Sequence, residues 1–354
     1  MRTSSLPLPA NVKRLKPYAS ARSLLKGDEW IFMDANESPS APPFFRNNCS
    51  ALNRYPDPTA DKLRDAIAAS YGVGRENIVI GNGSDELIDL SIRSFVRKGR
   101  RILSVAPTYG MYRVSAETNG AAYGTVPLGK NGDIKIRSFL RRTKNADLLF
   151  LCSPNNPTGT VIGLPAVKRV LDAFPGIVVV DEAYGEFADA SNIPSAITLV
   201  HEGKKNLIVL RTFSKAFAAA GIRLGYGIAA QEIIETLLKM KSPYNVNSLT
   251  QEIGLRLWGD SDRMRCNVRT LVAERERLMR ALGKLGCRAY PSVTNFFLID
   301  LPKGNDAEET YMNLRNNNGI VLRLIEWQNK KMLRITVGTR RENDLLLSAL
   351  TTLL

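Results

Sequence analysis

Five short apolar runs, each followed by a polar or glycine-rich segment, limit the folds open to this chain. They cover residues 77–80, 101–105, 148–152, 177–180 and 207–210, and they end in GNGSDE, APTYG, SPNNPTG, DEAY and RTFSK. Runs this short and continuously apolar are typical of strands buried on both faces of a parallel sheet. Helical patterns lie between them, such as the apolar spacing from Ile88 to Val96. We therefore predict an α/β fold, with helices on both faces of a mostly parallel sheet.

The pattern changes in the last third of the chain, where we predict a smaller α+β domain. A charged helical pattern covers residues 263–285, and a terminal helix is expected to close the chain. Three strands are predicted between them, at residues 295–301, 319–325 and 331–337. A chain of 354 residues can form two domains with separate cores. The predicted division is an N-terminal arm at 1–30 lying on the small domain, a large domain at 31–245 and the small domain at 246–354.

Composition narrows the classes of function. The formal net charge is +15, but Lys and Arg alternate with Asp and Glu along the chain. This favours anionic small molecules over nucleic acid as partners. A single histidine and four scattered cysteines argue against a metal site or a disulfide framework. We also find no signal peptide and no apolar segment of the roughly 20 residues that a membrane span needs, so we expect a cytoplasmic protein.

One segment suggests a competing function. Residues 124–131 read GTVPLGKN, close to the phosphate loop G-x-x-x-x-G-K-[ST] of ATPases. Asn131 replaces the hydroxyl residue that binds magnesium, and the following Gly132 and Asp133 indicate a turn instead of a helix N-terminus. The ATPase hypothesis is therefore disfavoured. A G-x-G-x-x-A pattern at 225–230 falls inside an apparent strand, which argues against a dinucleotide site.

Lys215 is the first candidate catalytic residue. In sheets of this kind, ligands bind beyond the carboxyl ends of the strands. Lys215 follows the run at 207–210 and precedes an alanine-rich segment. Partial removal from water lowers the pKa of an amine and makes it a nucleophile for carbonyl compounds, as enzymes that use pyridoxal phosphate require.

The other strand ends carry groups that complete such a site. GNGSDE provides an anion cradle, with the backbone N–H groups of Ser84 and Asp85 opening a helix. Thr212, Ser214 and Arg223 are expected to complete the phosphate site. Further candidates are Asp181 for the pyridine nitrogen, Tyr109 for ring stacking, and Asn156 and Tyr184 for the phenolic oxygen. A helix cap or a turn explains most of these residues singly, but not their occurrence on successive strand ends.

At this level of detail the sequence resembles the fold-type I pyridoxal phosphate aminotransferases. SPNNPTG (153–159), DEAY (181–184) and SKAFAAAGIRLGY (214–226) match the motifs of that family in order. Within its class-II members, the chain is most similar to the histidinol-phosphate aminotransferase group. That narrower resemblance rests on LKPYASAR (15–22), MDANESP (33–39), NRYPD (53–57), PTYGMYRVSAET (107–118), PYNVN (243–247) and RITVGTRREND (334–344).

The resemblance implies roles for individual residues. Lys215 would carry the cofactor and then move the substrate proton, while Asp181 would keep the ring nitrogen protonated. Tyr55 would reach the cofactor of a second subunit, which implies a homodimer. Arg334 would bind the substrate carboxylate, and Arg323 and Tyr18 its phosphate. Asn36 and Asn247 would lie on the substrate side.

The reaction implied is transamination between L-histidinol phosphate/imidazole acetol phosphate and glutamate/2-oxoglutarate, in histidine biosynthesis. Two alternatives share the fold and the cofactor: an aromatic amino acid aminotransferase and a phosphothreonine-type decarboxylase. The additional arginines favour a phosphorylated substrate over phenylalanine or tyrosine. PYNVN and the PTYGMY segment favour the transaminase over the decarboxylase.

Overall fold

The protein is described from a computed structural model, which covers residues 30–39 and 53–354. The strands of this part of the chain are β1 (Ile31–Phe32), β2 (Ile78–Gly81), β3 (Arg101–Ala106), β4 (Ala122–Pro127), β5 (Ala146–Cys152), β6 (Ile177–Asp181), β7 (Leu207–Thr212), β8 (Gly225–Ala229), β9 (Arg288–Ala289), β10 (Phe296–Asp300), β11 (Ile320–Val321), β12 (Arg323–Trp327) and β13 (Lys330–Thr336). The five predicted apolar runs are β2, β3, β5, β6 and β7, so those five predictions are confirmed.

The described residues contain a seven-stranded sheet in the order β2-β8-β7-β6-β5-β3-β4. Strands β4, β3, β5, β6 and β7 pair in parallel, while β8 is antiparallel to both of its neighbours. The helices are α1 (Asp61–Tyr71), α2 (Gly83–Phe95), α3 (Met111–Thr118), α4 (Ile136–Arg141), α5 (Leu164–Ala173), α6 (Gly185–Asp189), α7 (Ile197–His201), α8 (Gln231–Met240), α9 (Ser248–Gly259), α10 (Ser261–Lys284), α11 (Ala307–Asn318) and α12 (Arg340–Leu353).

Alternate residues of the buried strands pack against two different helical layers. In β5, Leu149 and Leu151 belong to the core that includes α1 and α5, whereas Phe150 belongs to the core that includes α2, α3 and α8. This alternation follows from the two-residue period of a strand. The molecule therefore has the predicted three-layer α/β architecture.

A second sheet forms in the last third of the described chain. Its order is β12-β13-β10-β9, and all its pairs are antiparallel. The strand predicted at 319–325 is in fact two strands, because the chain changes partner at the buried residue Leu322. Residues 320–321 pair with β1, and residues 323–327 pair with β13. Val321, Leu322 and Arg323 are not turn-forming residue types, so the sequence does not signal the change.

Strand β4 was not predicted, and it contains the start of the phosphate-loop-like segment. Gly124 and Pro127 disfavour a strand, but β4 lies at the edge of the sheet, where a missing N–H donor is tolerated. The next helix, α4, begins only at Ile136, so the segment lacks the helix N-terminus that an ATPase loop requires. None of the helices in the described ranges has the length and apolar character needed to cross a bilayer.

A buried ion cluster joins β6 to β7 on the face of the sheet that carries α6. Arg211 is 1% exposed, and its Nε and Nη2 donate to Glu182 Oε2 at 3.1 and 2.9 Å. Its Nη1 donates to Asp189 Oδ2 at 2.8 Å. Gly185 leaves room for this side chain, because a Cβ there would lie 2.4 Å from Arg211 Cζ.

We predict that Arg211→Ala destabilises the fold strongly, because it leaves Glu182 buried without its cationic partner. Breaking one side of a buried pair costs about 3–5 kcal/mol in the free energy of unfolding. The measurement is urea denaturation followed by circular dichroism. The control is Lys168→Ala, which removes the exposed Lys168–Glu202 pair and is expected to change little. Equal destabilisation by the two variants would contradict the prediction.

Candidate active site

A cavity of about 550 Å³ opens at the carboxyl ends of the parallel strands and is bounded on its far side by β12 and β13. The fold brings most of the predicted site residues into its lining. These residues are Asn36, Ser84, Asp85, Tyr109, Asn156, Asp181, Tyr184, Thr212, Ser214, Lys215, Arg223, Arg323 and Arg334. This is the position at which open α/β sheets bind ligands.

Lys215 extends into the cavity shortly after the end of β7. Its Nζ donates to the carbonyl oxygen of Ala35 at 2.9 Å. Removal from bulk water, together with the positive charge of Arg334, lowers the pKa of Lys215 to about 8. A substantial fraction of the amine is therefore neutral and nucleophilic near physiological pH.

Asp181 ends β6 with its carboxylate buried at the base of the cavity. The Tyr112 hydroxyl donates to Oδ2 at 2.7 Å, and the Ala183 backbone N–H donates to Oδ1 at 3.0 Å. Burial raises the pKa of this carboxyl group to about 6, while the bond from Tyr112 opposes that rise. The carboxylate is thus suited to a cationic group of a bound ligand.

The N-terminus of α2 and the side chain of Arg223 form an anion cradle at the other end of the cavity. Arg223 Nη1 lies 3.3 Å from Ser214 Oγ, and the Thr212 hydroxyl lies 3.0 Å from the same atom. Gly83 has φ +71°, and a Cβ there would lie 2.7 Å from Arg223 Nη2. Close approach of the backbone is therefore built into the cradle, as phosphate binding at a helix N-terminus requires.

Gly225, at the start of β8, also shapes this cradle. A Cβ there would lie 2.5 Å from the Ser84 nitrogen, so the strand can approach the N-terminus of α2 only with glycine at this position. The G-x-G-x-x-A pattern at 225–230 thus lies in a strand, as predicted from the sequence. Its first glycine serves the anion cradle.

Two tyrosines and an asparagine lie between the ends of the cavity. The Tyr109 hydroxyl donates to Asp85 Oδ1 at 3.0 Å, which fixes the ring above the cradle end. The Tyr184 hydroxyl accepts from Asn36 Nδ2 at 2.9 Å, and burial raises the pKa of this phenol. Asn156 Oδ1 accepts from Arg334 Nη1 at 2.6 Å.

Arg323 and Arg334 stand directly opposite each other on β12 and β13. Like charges at opposed positions destabilise a sheet unless an anion lies between them or each has its own partner. Arg334 also donates to the carbonyl of Asp34, and its guanidinium lies 5.3 Å from the centre of the Phe296 ring. The distal side of the cavity thus carries two guanidinium groups beside Glu37 and Glu326, and guanidinium groups are suited to bind the anionic group of a ligand.

Two of the predicted site residues that the structure describes, Tyr55 and Asn247, are not part of this lining. Tyr55 is 82% exposed and stacks on Tyr244, with ring centres 4.6 Å apart. Asn247 caps α9 by accepting from the Thr250 N–H at 2.9 Å. Tyr18 and the arm predicted at 1–30, apart from residue 30, lie outside the described residues.

The structure adds two groups that the sequence analysis did not identify. The carbonyl of Ala35 contacts Lys215, and the hydroxyl of Tyr112 contacts Asp181. Every residue has a backbone carbonyl, so the residue type at position 35 does not predict this contact. Tyr112 lies inside the quoted PTYGMY motif, but only the fold shows that it faces Asp181.

These groups fit pyridoxal phosphate. The cradle suits the phosphate, the buried Asp181 suits a protonated ring nitrogen, and the lysine lies in the same cavity. Within the described ranges, no cluster of three or more His, Cys, Asp or Glu side chains is placed to hold a metal ion.

Comparison with known proteins points in the same direction. A family model described as aminotransferase class I and II matches residues 32–350. The histidinol-phosphate aminotransferase of Parabacteroides distasonis is 42% identical over 351 residues, covering 96% of each chain. That of Pyrococcus furiosus is 37% identical over 346 residues, again covering 96% of each chain. The crystal structure of the Sinorhizobium meliloti histidinol-phosphate aminotransferase with pyridoxal-5'-phosphate has a TM-score of 0.90 and 26% identity, covering 99% of this chain and 98% of that one.

The lowered pKa of Lys215 gives a testable prediction for the cofactor-free protein. Reductive methylation of Lys215 is expected to rise with a midpoint near pH 8, whereas an ordinary exposed lysine titrates near pH 10.4. Rates at individual lysines are read by peptide mass spectrometry. Arg334→Gln should move the midpoint upward, because it removes a positive charge that disfavours protonation of the amine. A Lys215 profile that coincides with the exposed lysines would contradict the prediction.

Proposed function

The chain belongs to the aminotransferase class I and II family, and from that premise we propose that it is a pyridoxal phosphate-dependent transaminase of L-histidine biosynthesis. It transfers an amino group between L-histidinol phosphate/imidazole acetol phosphate and glutamate/2-oxoglutarate. The observation that carries the proposal is the cavity shared by Lys215 and the opposed pair Arg323 and Arg334. The relatives that are 37–42% identical support the choice of substrate.

The described residues would hold the cofactor along the length of the cavity. Its phosphate would lie on the Ser84 and Asp85 N–H groups, with Thr212, Ser214 and Arg223 around it. Asp181 would face the ring nitrogen and Tyr109 would stack on the ring, while Asn156 and Tyr184 would bond the phenolic oxygen. Each of these side chains lines the cavity, which supports the assignment.

Pyridoxal phosphate supplies, when bound, a carbonyl group that takes up an amino group and an electron-poor ring that stabilises negative charge on the adjoining carbon. Lys215 removes the proton from the substrate carbon that bears the amino group, since its pKa near 8 keeps part of the amine neutral. Asp181, which is only 2% exposed, would support the positive charge of the ring. Both half-reactions use this one set of residues, so ping-pong kinetics are expected.

The distal side of the cavity would select the substrate. Arg334 binds the carboxylate of glutamate, and Arg323 and Tyr18 bind the phosphate of histidinol phosphate. Asn36, which is buried and bonded to Tyr184, orients the group next to the reacting carbon. Asn247, which caps α9, would also lie on the substrate side.

The proposal extends to assembly and location. Tyr55 would reach the cofactor of a second copy, so the active form is a homodimer. The proposed location is the cytoplasm. The exposed stack of Tyr55 on Tyr244 supports this, because it presents aromatic area to a neighbouring chain. We further propose that the chain is divided into an N-terminal arm at 1–30, a large domain at 31–245 and a small domain at 246–354. In support, each of the two main sheets lies within one of the two larger units.

Attachment of the cofactor to Lys215 tests the first half of the proposal. Protein supplied with pyridoxal phosphate is expected to be yellow, and borohydride reduction should place a phosphopyridoxyl group on Lys215, as read by peptide mapping. Lys215→Ala should lose both the label and transamination. Lys130→Ala, in the phosphate-loop-like segment, is the control and should keep both. A protein that stays colourless with added cofactor would contradict the proposal.

Substrate selection tests the second half. Half-reaction rates are compared for histidinol phosphate, tyrosine and phenylalanine, and the phosphorylated amine is expected to react faster by orders of magnitude. Arg323→Gln should lower kcat/KM for histidinol phosphate on the order of 10²-fold, the value of a charged hydrogen bond, with little effect on tyrosine. Equal rates for the three amines would favour the aromatic aminotransferase. Release of carbon dioxide from phosphothreonine would favour the decarboxylase.

A further inference from the structure

Tyr112 occupies a position that packing alone does not explain. It lies in the first turn of α3, and its side chain is completely buried. Its ring stacks on Phe150 of β5 with centres 4.4 Å apart and planes 1° apart, and it meets the edge of Tyr109 at 5.6 Å. These contacts hold the ring in one orientation and aim its hydroxyl at the base of the cavity.

At that point the hydroxyl donates to Asp181 Oδ2 at 2.7 Å. The other carboxylate oxygen accepts from the Ala183 N–H at 3.0 Å. Both donors are neutral, so they orient the carboxylate without cancelling its charge. The negative charge is left for a cation that enters the cavity.

We propose that Tyr112 is a positioning residue that orients the Asp181 carboxylate and keeps it ionised for the ring nitrogen of the bound cofactor. The inference rests on the proposed function, because it presupposes pyridoxal phosphate in this cavity. Tyr112 acts through Asp181 and touches neither substrate nor cofactor.

The electrostatic surroundings explain why the carboxylate needs such a donor. The acidic and neutral groups that act on Asp181 are Asp85 from α2, Tyr109, Tyr112, Cys152 from β5, Tyr184 and, from the opposite face of the sheet, Glu182. The cations in the lining of the same cavity are Lys215, Arg223, Arg323 and Arg334. The hydrogen bonds to Asp181 come from the neutral donors Tyr112 and Ala183, and burial raises the pKa of Asp181. A hydrogen bond to the charged form opposes that rise, so loss of the Tyr112 hydroxyl moves the pKa of Asp181 further upward.

The test uses Tyr112→Phe, which keeps the ring that stacks on Phe150 and removes only the hydroxyl. The matched control is Tyr226→Phe, because Tyr226 is equally buried and its hydroxyl bonds to the Tyr71 hydroxyl at 2.9 Å, away from the cavity lining. The affinity of each cofactor-free protein for pyridoxal phosphate is measured between about pH 5 and about pH 9. This range extends about one unit below the pKa of Asp181, about 6, and about one unit above the pKa of Lys215, about 8. The same titration is run with an analogue that has carbon in place of the ring nitrogen.

Tyr112→Phe is expected to weaken pyridoxal phosphate binding roughly 10- to 100-fold, the value of a hydrogen bond to a charged group. The pH below which affinity falls should rise relative to the unmodified protein. Neither change should appear in Tyr226→Phe, and the loss of affinity should vanish with the analogue. That pattern supports the inference.

Two other results would overturn the inference about Tyr112, and they distinguish its failure from failure of the proposed function. If Tyr112→Phe binds pyridoxal phosphate as the control does, or loses affinity equally for the analogue, Tyr112 does not act through the ring nitrogen. If the unmodified protein does not bind pyridoxal phosphate at all, the proposed function fails and the inference fails with it.

A second substitution keeps the inference testable should Tyr112→Phe not fold. Tyr112→3-fluorotyrosine retains the size of the ring and makes the hydroxyl a stronger donor. The pH at which affinity falls should then move downward, opposite to the effect of Tyr112→Phe. An unchanged midpoint overturns the inference.

Discussion

The parallel pairing of β5, β6 and β7 determines where the polar groups of the site stand. Cys152 pairs with Asp181, and Asp181 pairs with Leu210, so three strand ends lie side by side at one edge of the sheet. The segments that follow these strands carry Asn156, Tyr184 and Lys215 into one cavity. Displacement of any one strand would separate groups that act together, because backbone hydrogen bonds set the register of the sheet.

At the end of β6, the carboxylates of two neighbouring residues lie in different electrostatic environments. Asp181 faces the cavity, where its donors are neutral, whereas Glu182 lies on the other face and binds Arg211. Successive side chains of a strand point to opposite faces, which makes this separation possible. One carboxylate is thereby used for stability, paired with a buried cation. The other stays without such a cation and remains available for chemistry.

Much of this arrangement could be predicted from the sequence, because the cofactor end rests on local patterns. The apolar runs predicted the strands, and the segments that follow them predicted that Ser84, Asp181, Lys215 and Arg223 lie in one site. What could not be predicted depends on contacts between distant segments. Strand β4 was not predicted, because its glycine and proline are unfavourable in strands. The change of strand partner at Leu322 was not predicted either, because no turn residue marks it. The bond from Tyr112 to Asp181 spans 69 residues, so no local periodicity reveals it.

The end of the cavity at β12 and β13 is harder to predict for a further reason, because residues 31–36 link the two sheets there through contacts between distant parts of the chain. Residues 31–36 follow the small sheet, with the Thr336 N–H donating to Met33 O at 3.1 Å and Asn295 Nδ2 donating to Asn36 O at 3.0 Å. The same segment offers the carbonyl of Ala35 to Lys215 and that of Asp34 to Arg334. The positions of the Lys215 amine and the Arg334 guanidinium therefore depend on the same segment. The environments of Lys215 and Arg334 thus share one segment of the fold, although Asp34 and Arg334 lie 300 positions apart in the chain and Ala35 and Lys215 lie 180 apart.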